Sequence, residues 1–200
     1  MKKLLLSGFE PFLQFPINPT EQIIKSLDGE HIGDYVIKGI LLPVDFGNSS
    51  KLLIEEMEKE KTDAVVSIGL AGGRNCITPE RVAINCRDGA EDNEGNQYQD
   101  APIIEGGPAA YFSTLPIRKI VNVLKENHIP AEISNSAGTY LCNDIMYSVL
   151  YYLEKNQIDI PAGFIHVPAN HKLAAQSKRP LPSWSDQDLT HAIRLAIQCL

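Results

Sequence analysis

The sequence predicts an α/β fold: a three-layer sandwich with a mostly parallel central sheet and helices on both faces. Three observations carry that expectation. Strand-like runs alternate along the chain with segments whose apolar residues recur at helical spacing, the order that builds a parallel sheet through helical crossovers. The run Ala64-Val65-Val66-Ser67-Ile68-Gly69 is short and apolar, as strands buried on both faces of such a sheet are. The 200 residues, 44% of them hydrophobic, suit a single domain over residues 1–200 with a sizeable core, and no repeat, linker or low-complexity stretch divides them.

Residues 3–9 read as a buried strand, followed by the turn-like Glu10-Pro11. Asn18-Pro19-Thr20-Glu21 starts a helix, with Asn as cap and Pro at the first helical position. Residues 35–44 make a second strand pattern, stopped at Pro43. Asn48-Ser49 caps a helix carrying Leu52, Leu53 and Met57. The strand at 64–69 follows, with Gly69, Gly72 and Gly73 in the loop after it. Residues 81–86 alternate, Val82, Ile84 and Cys86 against Arg81, Ala83 and Asn85, which predicts another strand. Residues 88–108 are acidic and glycine-rich without periodicity, a long loop of the kind that is usually functional or mobile. Ile117, Ile120, Val121 and Leu124 mark a helix ending near His128-Ile129-Pro130. A short strand at 132–134 leads into a helix with Ile145, Met146, Val149, Leu150 and Leu153 on one face. Residues 163–167 form the last strand, stopped by Pro168. Ser185-Asp186 caps a final helix with Leu189, Ile193, Ile197 and Leu200 inward.

A formal charge of −7 argues against nucleic acid or an anionic membrane surface as partner. Lys2-Lys3 precede only Leu4-Leu5-Leu6 before Ser7-Gly8, too short for the apolar core of a signal peptide, and no apolar run approaches transmembrane length. The cysteines at 76, 86, 142 and 199 show no metal-ligand spacing, so a zinc site is not expected. Reduced thiols in a cytoplasm are the default.

The chemistry centres on Ser134-Asn135-Ser136-Ala137-Gly138-Thr139-Tyr140-Leu141-Cys142-Asn143-Asp144, small and polar residues that make a turn from strand to helix, with Gly138 free to take positive φ. Cys142 falls at the first turn of the helix. Unpaired amide groups and the helix dipole favour a thiolate there, although most cysteines only pack. In a parallel sheet the active site lies at the carboxyl ends of the strands. That rule selects His166, at the end of an apolar strand, over His31, His128, His171 and His191. Alone, a histidine beside a core strand is more often a satisfied structural residue. The acid candidate is Glu80 in Thr78-Pro79-Glu80-Arg81; in an ordinary ion pair with Arg81 or Arg74 it would be worth little.

Taken together, Gly8-Phe9-Glu10-Pro11-Phe12 with Asn18-Pro19, Gly72-Gly73-Arg74 before Pro79-Glu80-Arg81-Val82-Ala83-Ile84-Asn85, the Cys142 segment, and Phe164-Ile165-His166-Val167-Pro168 resemble the pyroglutamyl peptidase I (pyrrolidone carboxyl peptidase) family. Asp92-Asn93-Glu94-Gly95-Asn96-Gln97 and Gly107-Pro108-Ala109-Ala110-Tyr111-Phe112 match as well, and the blocks are collinear from residue 8 to residue 168. The resemblance implies a cysteine peptidase that removes an N-terminal pyroglutamyl residue from peptides, with nucleophile Cys142, base His166 and acid Glu80, needing no metal and no cofactor. It also implies a lactam pocket walled by Phe9 and Phe12, with Tyr140 and Leu141 beside the nucleophile, and assembly into homo-oligomers, commonly tetramers.

The chain departs from the family pattern near that pocket. Leu70 stands where members usually carry glutamine before Ala-Gly-Gly-Arg. The segment Asp88-Gly89-Ala90-Glu91-Asp92-Asn93 is one residue shorter than usual and lacks the customary arginine, unless Arg74 or Arg87 replaces it. After Pro168 the text diverges. Two other readings therefore stay open: the same triad acting on a different small amide, and a binding protein that keeps the scaffold without efficient turnover.

Overall fold

A computed structural model describes residues 1–12 and 16–200. In chain order its elements are β1 (Lys2–Phe9), α1 (Pro19–Leu27), β2 (His31–Ile32), β3 (Tyr35–Leu42), α2 (Ser49–Glu60), β4 (Ala64–Leu70), β5 (Thr78–Pro79), β6 (Val82–Ile84) and β7 (Ala110–Phe112). These are followed by α3 (Ile117–Glu126), α4 (Leu141–Lys155), β8 (Ala162–Val167), β9 (Ala169–Asn170), α5 (His171–Gln176), β10 (Ser183–Trp184) and α6 (Asp186–Ile197). The central sheet has the order β2-β3-β1-β4-β8-β5. Strands β3, β1, β4 and β8 are mutually parallel, and the short β2 and β5 run antiparallel at the two edges.

Why these strands read as unbroken apolar runs is visible in where alternate residues go. Leu4 and Leu6 of β1 enter a core shared with α1, α3 and α6, whereas Leu5 and Phe9 enter a second core shared with α2 and α4. Strand β8 divides the same way: Ile165 and Val167 face the first core and Ala162 and Phe164 the second. Helices therefore cover both faces, giving the three layers. The α4-facing row ends, at the carboxyl edge of the sheet, in Phe9, Gly69 and His166, because period-two alternation places them with Leu5, Val65 and Phe164. Ile145, Met146, Val149, Leu150 and Leu153 of α4 are all buried against this face. Each such side chain stabilises the fold by about 1.5–3 kcal/mol as an upper figure.

The structure differs from the sequence-based expectations in several places. The strand expected over 81–86 is only Val82–Ile84, and it turns Ala83 inward while Ile84 is 38% exposed. The reason is Asn143 on α4, whose side chain accepts from Ile84 N at 2.9 Å and donates to Ile84 O at 2.9 Å and Cys86 O at 3.0 Å. That clasp draws α4 so close to β6 that the facing position must be small. Leu52 is exposed on α2, which buries Leu53 and Met57. Asn48 does not cap α2 through its side chain, which donates to Asp45 instead. Residues 132–134 form no ladder; the extended chain there touches residues 77–80 through isolated bridges, Ile77 to Ala131 and Glu80 to Ser134. Helix α5 had no clear sequence signal, yet Asn170 caps it by accepting from Leu173 N at 2.9 Å.

The loop over 88–108 has no long element but is tied down. The buried Asp92 carboxylate accepts from the backbone N–H groups of Phe46 (2.9 Å), Glu94 (3.0 Å) and Asn96 (2.8 Å). Asn93 donates from its side chain to Pro11 O at 3.1 Å and from its backbone to Val44 O at 2.9 Å. Among the described residues, no helix is long and apolar enough to cross a membrane.

Candidate active site

Cys142 is the second residue of α4. The chain reaches it through Gly138, whose φ of +80° supplies the left-handed turn. The first intrahelical bond of the turn runs from Asp144 N to Tyr140 O, so the N–H groups of Leu141, Cys142 and Asn143 precede the helical ladder. The sulfur lies over β4: a Cβ built on Gly69 would stand 3.0 Å from Cys142 Sγ and 2.7 Å from the Phe164 ring. Gly69 is the direct register partner of His166 in the β4–β8 pair. Sheet register and helix start thus bring nucleophile and base candidates to one edge.

His166 is held from behind. Its Nδ1 lies 2.7 Å from Glu80 Oε1, and the ring packs on Phe164 with centroids 4.9 Å apart. Glu80 is fully buried. Its position comes from β5, where Thr78 pairs with His166 and Pro79 with Ile165, and from Glu80 N donating to Phe164 O at 2.9 Å. The same Oε1 accepts from Arg74 Nη1 at 2.7 Å, so His166 and Arg74 meet one carboxylate oxygen. Of the two arginines weighed against Glu80, Arg74 is the partner; Arg81 donates to Asn135 at 2.7 Å. A zero-exposure carboxylate with two charge-assisted partners is not the weak surface pair that sequence alone allowed.

The protonation tendencies follow from burial. Burial pushes the Cys142 thiol up to about 12, with the Glu80 charge adding to it and Arg74 and its own backbone N–H opposing. This is the reverse of what a helix N-terminus alone predicts. Burial likewise lowers His166, against the pull of Glu80. Glu80 sits below its ordinary value: burial works to raise it, but hydrogen bonds from His166, Ser134 and Arg74 together prevail. An ionised Glu80 can only accept, so Nδ1 carries the proton and Nε2 keeps its lone pair.

Beside Cys142 is a narrow pocket lined by Phe9, Phe12, Asn18, Val44, Leu70, Tyr140 and Leu141. All four residues expected for substrate binding are therefore on its wall. Tyr140 is braced by Phe46, with ring centroids 5.2 Å apart, and donates from its hydroxyl to Glu91 O at 2.9 Å. Thr139 donates to Asp88 O at 2.7 Å. Leu70 is buried and packs with Ala169 and Leu173. Asn18 is a polar wall residue, but its Oδ1 accepts from Thr20 N and Thr20 Oγ1 and its Nδ2 donates to Glu10 O. Arg87 does not reach in: it pairs with Asp144 and lies 5.3 Å from the Tyr98 ring centroid. His31, His128, His171 and His191 are exposed.

Sequence reasoning did not find Gly69 as the seat of the sulfur, nor Thr78 and Asn143 as supports. Their signal was adjacency: Gly69 ends a buried strand, and Asn143 follows the nucleophile candidate. Among the described residues, no group of three or more His, Cys, Asp or Glu side chains could hold a metal ion.

Comparison with known proteins bears on the chain as a whole. The model of the pyroglutamyl peptidase family matches residues 2–200. The pyrrolidone-carboxylate peptidase of Oceanobacillus iheyensis is 50% identical over 200 residues, covering 100% of both chains. That of Halalkalibacterium halodurans is 52% identical over 196 residues, 98% of this chain and 97% of its own. The solved pyrrolidone carboxyl peptidase of Thermococcus litoralis superposes with a TM-score of 0.96 at 40% identity, covering 100% of this chain and 93% of its own. With its whole length matched by the family and its sheet superposing on a member's, this chain belongs to the pyroglutamyl peptidase family.

Proposed function

We propose that the chain is a cysteine exopeptidase that cleaves an N-terminal pyroglutamyl residue from peptides through Cys142, His166 and Glu80. The observation that carries this reading is the 2.7 Å contact of His166 Nδ1 with the buried Glu80, beside a cysteine that starts a helix. Cys142 Sγ attacks the pyroglutamyl carbonyl carbon while its proton passes to His166 Nε2. Glu80 orients the ring and stabilises the imidazolium that forms. N–H groups at the α4 N-terminus are placed to stabilise the tetrahedral oxyanion. Collapse breaks the amide bond, and His166 returns the proton to the leaving amine, leaving a thioester on Cys142. Water then adds to the thioester with His166 as base, and release of the acid restores the thiol.

Phe9, Phe12, Tyr140 and Leu141 form the walls for the lactam ring. The same reading places the enzyme in a cytoplasm, where its four free cysteines stay reduced, and takes it as a homo-oligomer. One observation favours a variant reading, action on a different small amide: Leu70, on the pocket wall, is apolar where glutamine is usual. A fluorogenic pyroglutamyl amide assayed beside other aminoacyl amides decides between them. Turnover of the pyroglutamyl amide alone, abolished by Cys142→Ser, supports the first reading. Turnover of another amide supports the variant, and turnover of none overturns both.

A further inference from the structure

Arg74 is the cation nearest the centre of the site, and the chemistry above leaves it without a role. It reaches across three segments. Its Nη1 donates to Glu80 Oε1 at 2.7 Å and also to Thr78 Oγ1, and its Nη2 donates to Ser136 O at 3.4 Å. Its own loop is closed by Arg74 N donating to Ala71 O at 2.9 Å. Thr78 is the register partner of His166, and Ser136 lies on the segment leading to Cys142. One guanidinium therefore touches the strand behind the base, the acid, and the approach to the nucleophile.

The contact with Glu80 is the informative one. Arg74 and His166 do not share the carboxylate by taking an oxygen each. Both meet Oε1, and neither donates to Oε2. Two charge-assisted donors on one oxygen compete: electron density drawn toward the guanidinium is density not offered to the imidazole. We propose that Arg74 is a positioning residue that fixes Glu80 and limits how strongly it holds His166, so that the imidazolium formed in the first step remains acidic enough to protonate the leaving amine. The inference rests on the assignment of Cys142, His166 and Glu80 above. Its physical sense is that an acid clamped too firmly to its base makes a good proton acceptor and a poor proton donor, and amide cleavage needs both.

The charged and titratable groups facing His166 are Glu80 from the extended segment after β5, Arg74 from its loop and Cys142 from α4; the facing residues Gly69, Thr78 and Phe164 carry no charge. Arg74 acts against protonation of the ring and Glu80 acts for it. Removing the guanidinium charge therefore moves the acid limb of kcat/KM to higher pH.

The test uses the full chain with a pyroglutamyl anilide and a pyroglutamyl ester, the ester leaving group needing far less help from an acid. Arg74→Gln keeps a donor for Glu80 and Thr78 without the charge; Arg74→Lys keeps the charge. Arg74→Gln is expected to lower kcat on the anilide about 10- to 100-fold with KM changed less than about threefold. It should lower kcat on the ester much less, and raise the acid limb. Arg74→Lys should recover most of the anilide activity and leave the limb in place. Equal losses on both substrates, or an unmoved acid limb in Arg74→Gln, overturn the proposal, since a purely structural role moves neither selectively. If Arg74→Gln does not fold, loss of the anilide-over-ester balance in folded Arg74→Lys serves as the same overturning result. Full anilide activity in His166→Ala would instead sink the triad assignment itself.

Discussion

A Cβ added to Gly69 would stand 3.0 Å from Cys142 Sγ and 2.7 Å from the Phe164 ring, on the strand position directly opposite His166. The sulfur of the proposed nucleophile thus occupies the space where every other residue type carries a side chain. Gly69→Ala has no way to relax cheaply, because strand β4, strand β8 and the start of α4 are all packed in the core. Overpacking of this kind costs about 1–3 kcal/mol. The variant is expected to fold with a lowered Tm and to lose far more kcat than KM, since the displaced atom is the attacking one. A Gly69→Ala enzyme with unchanged kcat would show that the sulfur works from somewhere else.

The protonation state of the resting site follows from burial on both partners. The thiol is pushed up to about 12 and the imidazole below its ordinary 6.5, so both shifts favour the uncharged pair near neutrality. The ultraviolet difference spectrum between the native chain and Cys142→Ser should show no thiolate at pH 7, the band growing only in alkali. A thiolate band at neutral pH would contradict this. His166 must be neutral to act as base, so kcat/KM should fall only below the ordinary imidazole range. Folding stability has the same sign: below about pH 6.5 an unfolded histidine takes up a proton that the buried ring resists, so stability is lost as pH falls through that range.

His166 and Glu80 should separate in their effects. His166→Ala removes the proton carrier and should cost about a thousandfold or more in kcat. Glu80→Gln keeps an acceptor for Nδ1 but removes the charge that favours imidazolium, so it should cost less and move the acid limb of kcat/KM to lower pH. A pH–rate profile of Glu80→Gln that shifts upward instead would mean that Glu80 does not act through His166.

Leu70 packs against Ala169 and Leu173 while lining the pocket. Leu70→Gln places an amide in that apolar cluster, with a stability cost of about 1–3 kcal/mol unless it finds partners. It also gives the pocket a side-chain donor and acceptor for the lactam. We expect lower Tm together with higher kcat/KM on a pyroglutamyl amide, and a larger gain when the loop arginine is restored as well. Folded Leu70→Gln with unimproved kcat/KM would mean that other groups already meet the lactam's polar atoms.

The layers were legible because β1 and β4 are buried on both faces, which leaves an apolar run that helices cannot mimic at that length. Cys142 and His166 stood out as candidates for a different reason: each was expected at a helix start or strand end, and the structure places each there. What escaped was set by contacts between distant segments. Ala83 faces inward because Asn143, 60 residues on, clasps its neighbour, and local alternation points the other way. The pairing of Arg74 with Glu80 was one of two open choices, decided by the fold of a glycine-rich loop. Residues 171–176 make a helix too short for periodicity to register, and Asn170 was its one local sign.

The loop over 88–97 is bonded to Pro11, Val44, Phe46, Thr139 and Tyr140, so it is tied to three of the chain segments that wall the pocket. Of the three candidate reactive groups, His166 hangs from a strand end and Glu80 from the segment after β5, whereas Cys142 starts α4 directly after Thr139 and Tyr140, which the loop holds. The loop is thus coupled both to the pocket wall and, through Tyr140, to the start of α4. A change in this loop is therefore expected to be felt in two places at once, in the shape of the pocket and in the seating of the first turn of α4.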